Sequence, residues 1–200
     1  MSEARKILWE KYRKELERVR SDNQKKKGEA WLKIPHEVFG VLLEPLSLRK
    51  LLYLEEIDCP LIHEQESNLE DVIHFVWVCS GEFTLDKSGY ENFRKKLKLK
   101  NQDVSKEISE YIETSFRFIG FSAGKASDDE HFATGVIDLL GDNYGWTADY
   151  ILDLPLNQTF QLISAIIKRM HIQAGKPPIS FNREEDEIKA RFMRELNQRN

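Results

Sequence analysis

The sequence predicts a mainly α fold: a helical core domain with helical N- and C-terminal arms and a minor short β element near residues 31–43. Three observations carry that expectation. Apolar side chains recur at spacings of three and four through most of the chain, the period of one helix face. Capping residues, prolines and glycines fall at the ends of these runs. The runs also differ in width, broad in the middle of the chain and reduced to a thin stripe at each end. The expected organisation is an N-terminal arm over 1–24, a core domain over 30–178 and a C-terminal arm over 182–200. With 200 residues, 40% hydrophobic and 32% charged, the chain is long enough for one core and too short for two full ones.

In the first arm, EARKILWEKYRKELERVRSDNQKKKGE, Leu8, Tyr12, Leu16 and Val19 mark one narrow stripe on a heavily charged helix. Such a stripe needs a covering surface. DNQKKKGE, polar and closing with Gly28, reads as a linker. Pro35 and Gly40 punctuate AWLKIPHEVFGVLLEP, which suits short extended pieces. Ser47 is placed to cap a helix whose apolar face includes Leu48, Leu51, Leu52 and Leu54 or Ile57, and Pro60 closes it. In SNLEDVIHFVWVCSG, Asn68 or Ser67 caps, Glu70 and Asp71 favour the positive end of the helix dipole, and Val72, Phe75, Val76 and Cys79 share a face. A strand over 72–79 competes, because β-branched and aromatic residues dominate that run.

The pattern weakens from Leu85 to Leu99 and resumes through Val104, Ile108, Ile112, Phe116 and Ile119, until Gly120 and Gly124 loosen the chain. SDDEHFATGVIDLLGDN reads as a helix opened by Ser127 or Asp128 and stopped by Gly141. In YGWTADYILDLPL, Asn143 and Gly145 permit positive φ, and Trp146 and Tyr150, four apart, align on a short helical turn. The expectation is a helix, a corner, a short helix and a second corner, with the rings filling the elbow and Asp153 capping the helix that Pro155 begins. That long helix ends at Gly175, ahead of Pro177 and Pro178. Asn182 with Glu185 opens the last helix, whose stripe is Ile188, Phe192 and Leu196.

The chemistry-bearing residues are sparse. Neither GxxxxGK[ST] nor GxGxxG occurs, so phosphate-cradling loops of those kinds are not expected. Cys59, His63, His74 and Cys79 have zinc-ligand identities, but Pro60 and the apolar surroundings do not suggest a knuckle. His74 and Cys79 are five apart and would point in different directions on a helix, which argues against a thiol nucleophile and for two buried thiols. Glu55 with Glu56 and Asp128 with Asp129 match helix ends and solvated faces better than acid-base pairs. The basic run Arg94 to Lys100, with Tyr90 and Phe93 nearby, is the one candidate nucleic-acid patch, and a solvated helix end is the simpler reading. A net charge of -4 opposes a surface built wholly for nucleic acid or anionic lipid. MSEARK lacks the apolar segment of a secretory signal, and no run approaches the roughly eighteen apolar residues of a spanning helix, so a soluble, cytoplasmic chain without cofactors is expected.

LLEPLSLRKLLYLEEIDCPLIH at 42–63, DVIHFVWVCSGEF at 71–83, and Tyr144-Gly145-Trp146 followed by YILDLPL resemble the tail assembly chaperones of bacteriophages and prophages. In that group a P-[LF]-[ST]-L helix opening, a VWVCS helix and an aromatic-Gly-Trp before YILDLPL recur in this order. The resemblance covers about residues 40–165 and leaves both arms outside it. It implies a non-enzymatic protein of the host cytoplasm that binds the tape-measure protein and promotes polymerisation of tail-tube subunits around it. A virion component of connector or tail-terminator type is the alternative, and a small nucleic-acid-binding regulator a third. The resemblance supplies no catalytic residues. On physical grounds the two thin stripes are the expected contact positions, Leu8, Tyr12, Leu16 and Val19 on one arm and Ile188, Phe192 and Leu196 on the other, either for a partner or for self-association.

Overall fold

The computed structural model describes residues 3–32, 35–63, 65–86, 88–97, 104–116, 131–176 and 183–198, with side chains from residue 6 onward and without that of Arg183. It is mainly helical. The helices are α1 (Glu3–Glu29), α2 (Leu48–Glu56), α3 (Leu69–Cys79), α4 (Tyr90–Lys96), α5 (Ser105–Phe116), α6 (Phe132–Tyr144), α7 (Ala148–Asp153), α8 (Leu156–Gln173) and α9 (Arg183–Gln198). Two short strands, β1 (His36–Val38) and β2 (Val41–Leu43), pair antiparallel in the register Val38 opposite Val41. Among the described residues, no helix is long and apolar enough to cross a membrane. The expected helix openings at Ser127, Asp128 and Asn182, the tail of the basic run at 98–100, and Gly120, Gly124, Pro177 and Pro178 lie outside the described residues.

The chain divides into two compact units. The central one holds the β-hairpin, α2 to α7 and the first part of α8. Its centre is α3, in which Ile73, Phe75, Val76, Trp77, Val78 and Cys79 are all buried. Asn68 accepts from the backbone N–H of Glu70 and Asp71 while Asp71 accepts from that of Asn68, a reciprocal cap that starts the helix where the sequence predicts. With both sides of α3 covered by neighbours, its β-branched content favours burial without dictating a strand.

The hairpin turn consists of Phe39 and Gly40, at φ 54° and 79°. Two consecutive positive values are the pattern of a type I′ turn, whose twist matches that of the strands it joins. The segment after β2 then ties the unit together. The Glu44 N–H donates to the Cys79 carbonyl at 2.8 Å, the Leu156 N–H donates to the Leu46 carbonyl at 2.8 Å, and the Tyr111 hydroxyl donates to the Glu44 carbonyl at 2.7 Å. Thus Glu44–Ser47 is held by the end of α3, by the start of α8 and by α5. Ser47 caps α2 by accepting from the Lys50 N–H, as expected from its position.

Lys50 is buried, at 9% exposure, although it belongs to α2's inner face. Its ammonium lies 2.8 Å from Glu44 Oε2, 3.3 Å from the Ser80 carbonyl and 3.5 Å from the Cys79 carbonyl. It therefore caps the negative end of α3. The sequence pattern, which counted only apolar residues on α2, gave no sign of it.

Several boundaries differ from expectation. Helix α1 continues through the supposed linker to Glu29. Lys, Glu and Gln in that stretch are good helix formers, and Lys26 and Lys27 in the last turn complement the dipole. Helix α6 passes Gly141 and ends only at Gly145, whose φ of 67° supplies the left-handed cap. His131 Nδ1 accepts from the Ala133 N–H at the other end. Asn143, expected to permit positive φ, is helical and donates to the Leu139 carbonyl. Thr147 caps α7, and Asp153 is engaged by Arg49. Gly175, at φ 67°, ends α8 as predicted.

The second unit holds α1, α9 and the last part of α8. Here the organisation departs from the sequence reading: the two arms belong to one unit and form each other's cover.

Candidate partner-binding site

Helices α1 and α9 pack antiparallel along the two predicted stripes. Leu8, Tyr12, Val19 and Ile188 form a buried cluster, with Leu16 and Phe192 half-buried against it, and Leu196 is half-buried farther along α9. The pairing runs backward along α9 as it runs forward along α1. Trp9 and Tyr12 meet the Phe192 ring edge-on at 5.6 and 5.5 Å. The Tyr12 hydroxyl donates to Glu195, Arg191 donates to Glu15 at 2.6 Å, and Arg20 donates to Glu185 at 3.1 Å.

Burial and charge contribute unequally to this seam. Each fully covered large apolar side chain contributes about 1.5–3 kcal/mol, whereas exposed ion pairs contribute roughly 0–1 kcal/mol each. The apolar stripe holds the helices together, and the ion pairs along its rim set register and direction. The Glu195 carboxylate and burial together raise the Tyr12 hydroxyl above its ordinary pKa. The Arg191 guanidinium is likewise raised, through its bond to Glu15.

The structure thus brings six of the seven predicted contact residues to one seam, with Leu196 half-buried beyond them, and corrects the expectation that the stripes await another molecule. Two thin stripes read separately each seem to lack a cover; facing one another, they supply it. The large apolar side chains left open on this unit include neighbours of the stripes as well as Trp31, Leu32, Met170 and Ile172. Ile7 is 66% exposed, Trp9 46% and Met193 52%. Because the helices are antiparallel, the start of α1 and the later part of α9 share one end of the hairpin; there Ile7 and Trp9, two apart, flank the buried Leu8 on opposite sides of α1, and Trp9 meets Phe192, which precedes Met193. Sequence reasoning missed them because a helical-wheel argument selects the best-aligned stripe and discards its flanks.

The zinc-type residues are dispersed. Cys79 is fully buried beside Tyr111, and burial pushes its thiol up to about 12. Tyr111 is raised as well, by burial first and then by Cys79. Cys59 is buried and raised for the same leading reason. His63 Nε2 lies 3.7 Å from Asp58, and His74 belongs to a ring cluster with Tyr53, Trp77 and Tyr90. Among the described residues no three His, Cys, Asp or Glu side chains gather as metal ligands would. A thiol kept protonated by burial is a poor nucleophile.

The described part of the basic run is paired with acids. Arg94 contacts Glu70 at 3.0 Å and Lys96 contacts Glu82 at 2.7 Å. Tyr90, which donates to Glu70 at 2.7 Å, is raised by burial and by that carboxylate. Arg94 and Tyr90 thus tie α4 to α3, and Lys96 ties it to the segment after α3.

The corner between α6 and α7 differs from its predicted form. Tyr144 and Trp146 stack at 4.6 Å with planes 20° apart, and Trp146 meets Tyr150 at 5.1 Å and 68°. The rings fill the elbow only in part, since Trp146 is half-buried but Tyr144 is 36% and Tyr150 53% exposed. The fully buried side chains of these two helices are instead Leu140 and Ile151. Arg49 holds α7 to α2 through Asp153 at 2.7 Å and Asp149 at 3.0 Å, and these bonds raise its guanidinium.

No protein-family model matches the chain, and comparisons with curated proteins and with solved structures gave no significant match.

Proposed function

We propose that this chain is a non-enzymatic bacteriophage tail assembly factor that binds the tape-measure protein, tail-tube subunits, or both, through its terminal helical hairpin. The observation that carries the reading is that large apolar side chains, Ile7, Trp9 and Met193, stay exposed near one end of a seam that is itself closed. A long helical partner completes its own burial by laying an apolar stripe on such side chains. The sequence resemblance over residues 40–165 supplies the class of partner, and the hairpin supplies a surface with suitable chemistry.

In this reading Leu8, Tyr12, Leu16, Val19, Ile188, Phe192 and Leu196 shape the binding surface by building the hairpin, and Ile7, Trp9 and Met193 meet the partner. The test is co-expression with fragments of the same phage's tape-measure protein followed by affinity capture. Trp9→Glu with Met193→Glu should abolish capture while leaving the far-ultraviolet circular dichroism unchanged. Capture equal to that of the parent chain would rule out this surface. Mass spectrometry of purified virions distinguishes a chaperone, absent from mature particles, from a retained structural subunit.

A further inference from the structure

We propose that the Tyr144, Trp146 and Tyr150 rings form a docking surface for an arginine-bearing segment of a partner protein. The proposal is independent of the hairpin reading, because these rings belong to the central unit. Trp146, half-buried, contacts Tyr144 at 4.6 Å and Tyr150 at 5.1 Å, and the two tyrosine side chains are exposed to solvent. Burial in this chain does not account for the two exposed tyrosines, whereas Leu140 and Ile151 on the same two helices are fully buried.

Charge selects the occupant. Between Lys125 and Lys168 the sequence contains no lysine or arginine, while Asp138, Asp142, Asp149 and Asp153 lie on the two helices that meet at the stack. Among the described residues, the one cation that reaches them is Arg49, which bonds Asp149 and Asp153. The Asp149 side chain is still 88% exposed, and Asp142 has no ion-pair partner among the described residues. Exposed ring faces carry negative potential, and the aspartates add to it. A guanidinium satisfies both features: it stacks flat on an aromatic face and forms paired hydrogen bonds with a carboxylate, whereas an ammonium offers only a point charge. A polyanion would be repelled. A flat sugar platform would need rings side by side, and here Tyr144 and Trp146 stand face to face.

Deca-arginine is the probe, titrated into the full chain at physiological salt and followed by the indole N–H resonance of Trp146, assigned by its loss in Trp146→Phe. Deca-lysine and deca-proline are the comparison peptides. The expected result is a saturable shift of that indole with deca-arginine and weaker binding of deca-lysine. Affinity, read by isothermal titration calorimetry because this variant lacks the reporting indole, should fall on the order of tenfold in Trp146→Ala with Tyr150→Ala. A smaller loss is expected in Asp142→Asn, whose site is exposed and whose fold is not at risk. Four outcomes would overturn the proposal: no shift, equal affinity in the double variant, preference for deca-proline, or an indole shift that follows dilution of the protein alone and so reports a second copy. Hairpin variants Trp9→Glu and Met193→Glu should leave this titration unchanged, so failure here and failure of the proposed function are read separately.

Discussion

At the scale of single residues, the least expected side chain is Lys50. A lysine on the inner face of a helix would ordinarily cost stability, yet here its three donors meet Glu44 and the last carbonyls of α3. Lys50→Ala should therefore destabilise the protein by about 2 kcal/mol in urea denaturation, since it removes charged hydrogen bonds from a mostly buried site. A change near zero would mean that water replaces the ammonium at no cost. The thiols allow a second residue-scale prediction. The Cys79 thiol has a folded value of about 12 against an ordinary value of 9.0. Above pH 9 the unfolded chain releases that proton while the folded chain keeps it, so stability is complete below about 9 and falls as pH rises toward 12. Cys59 and Tyr111, both raised by burial, add in the same direction. Thermal melts between pH 8 and 11 should thus show a declining midpoint, and a rising one would contradict the burial of these groups.

At the scale of elements, helices with strong local punctuation were legible in the sequence and their partners were not. Ser47, Asn68 and Gly175 are found at the ends they were expected to mark, because capping depends on atoms within a turn of the helix. Asn68→Ala should cost about 1 kcal/mol and fray the start of α3, which hydrogen exchange at Glu70 and Asp71 would report. Gly28 and Gly141 misled because a glycine within a helix costs only about 1 kcal/mol, less than the neighbouring turns recover. The aromatic corner misled for another reason. Ring spacing correctly aligned Trp146 with Tyr150, but which side of the turn faces the core is set by Leu140 and Ile151 on two different helices. The sequence motif could not reveal that arrangement.

At the scale of the whole chain, the main result is that its two ends belong together. Each stripe, Leu8 to Val19 and Ile188 to Leu196, was visible in the sequence, but their pairing bridges positions more than a hundred residues apart and depends on antiparallel register, which one-dimensional spacing does not encode. Isolated helices of this polarity are marginal in water, so removal of one should expose the other. Ile188→Ala at the buried centre of the seam should cost about 3 kcal/mol. The loss should be concentrated in amide exchange of α1 and α9 and leave α3 protected. Equal loss of protection in α3 would show that the two units unfold as one.

The closure of this seam within one free molecule is the claim on which the rest depends. It is tested most directly by nuclear Overhauser contacts between the Tyr12 and Phe192 rings, recorded on an equal mixture of carbon-13-labelled and unlabelled protein with isotope filtering. Intramolecular contacts that persist on dilution are predicted. Contacts seen only between labelled and unlabelled chains, or none at all, would contradict the account and return both stripes to the service of another molecule.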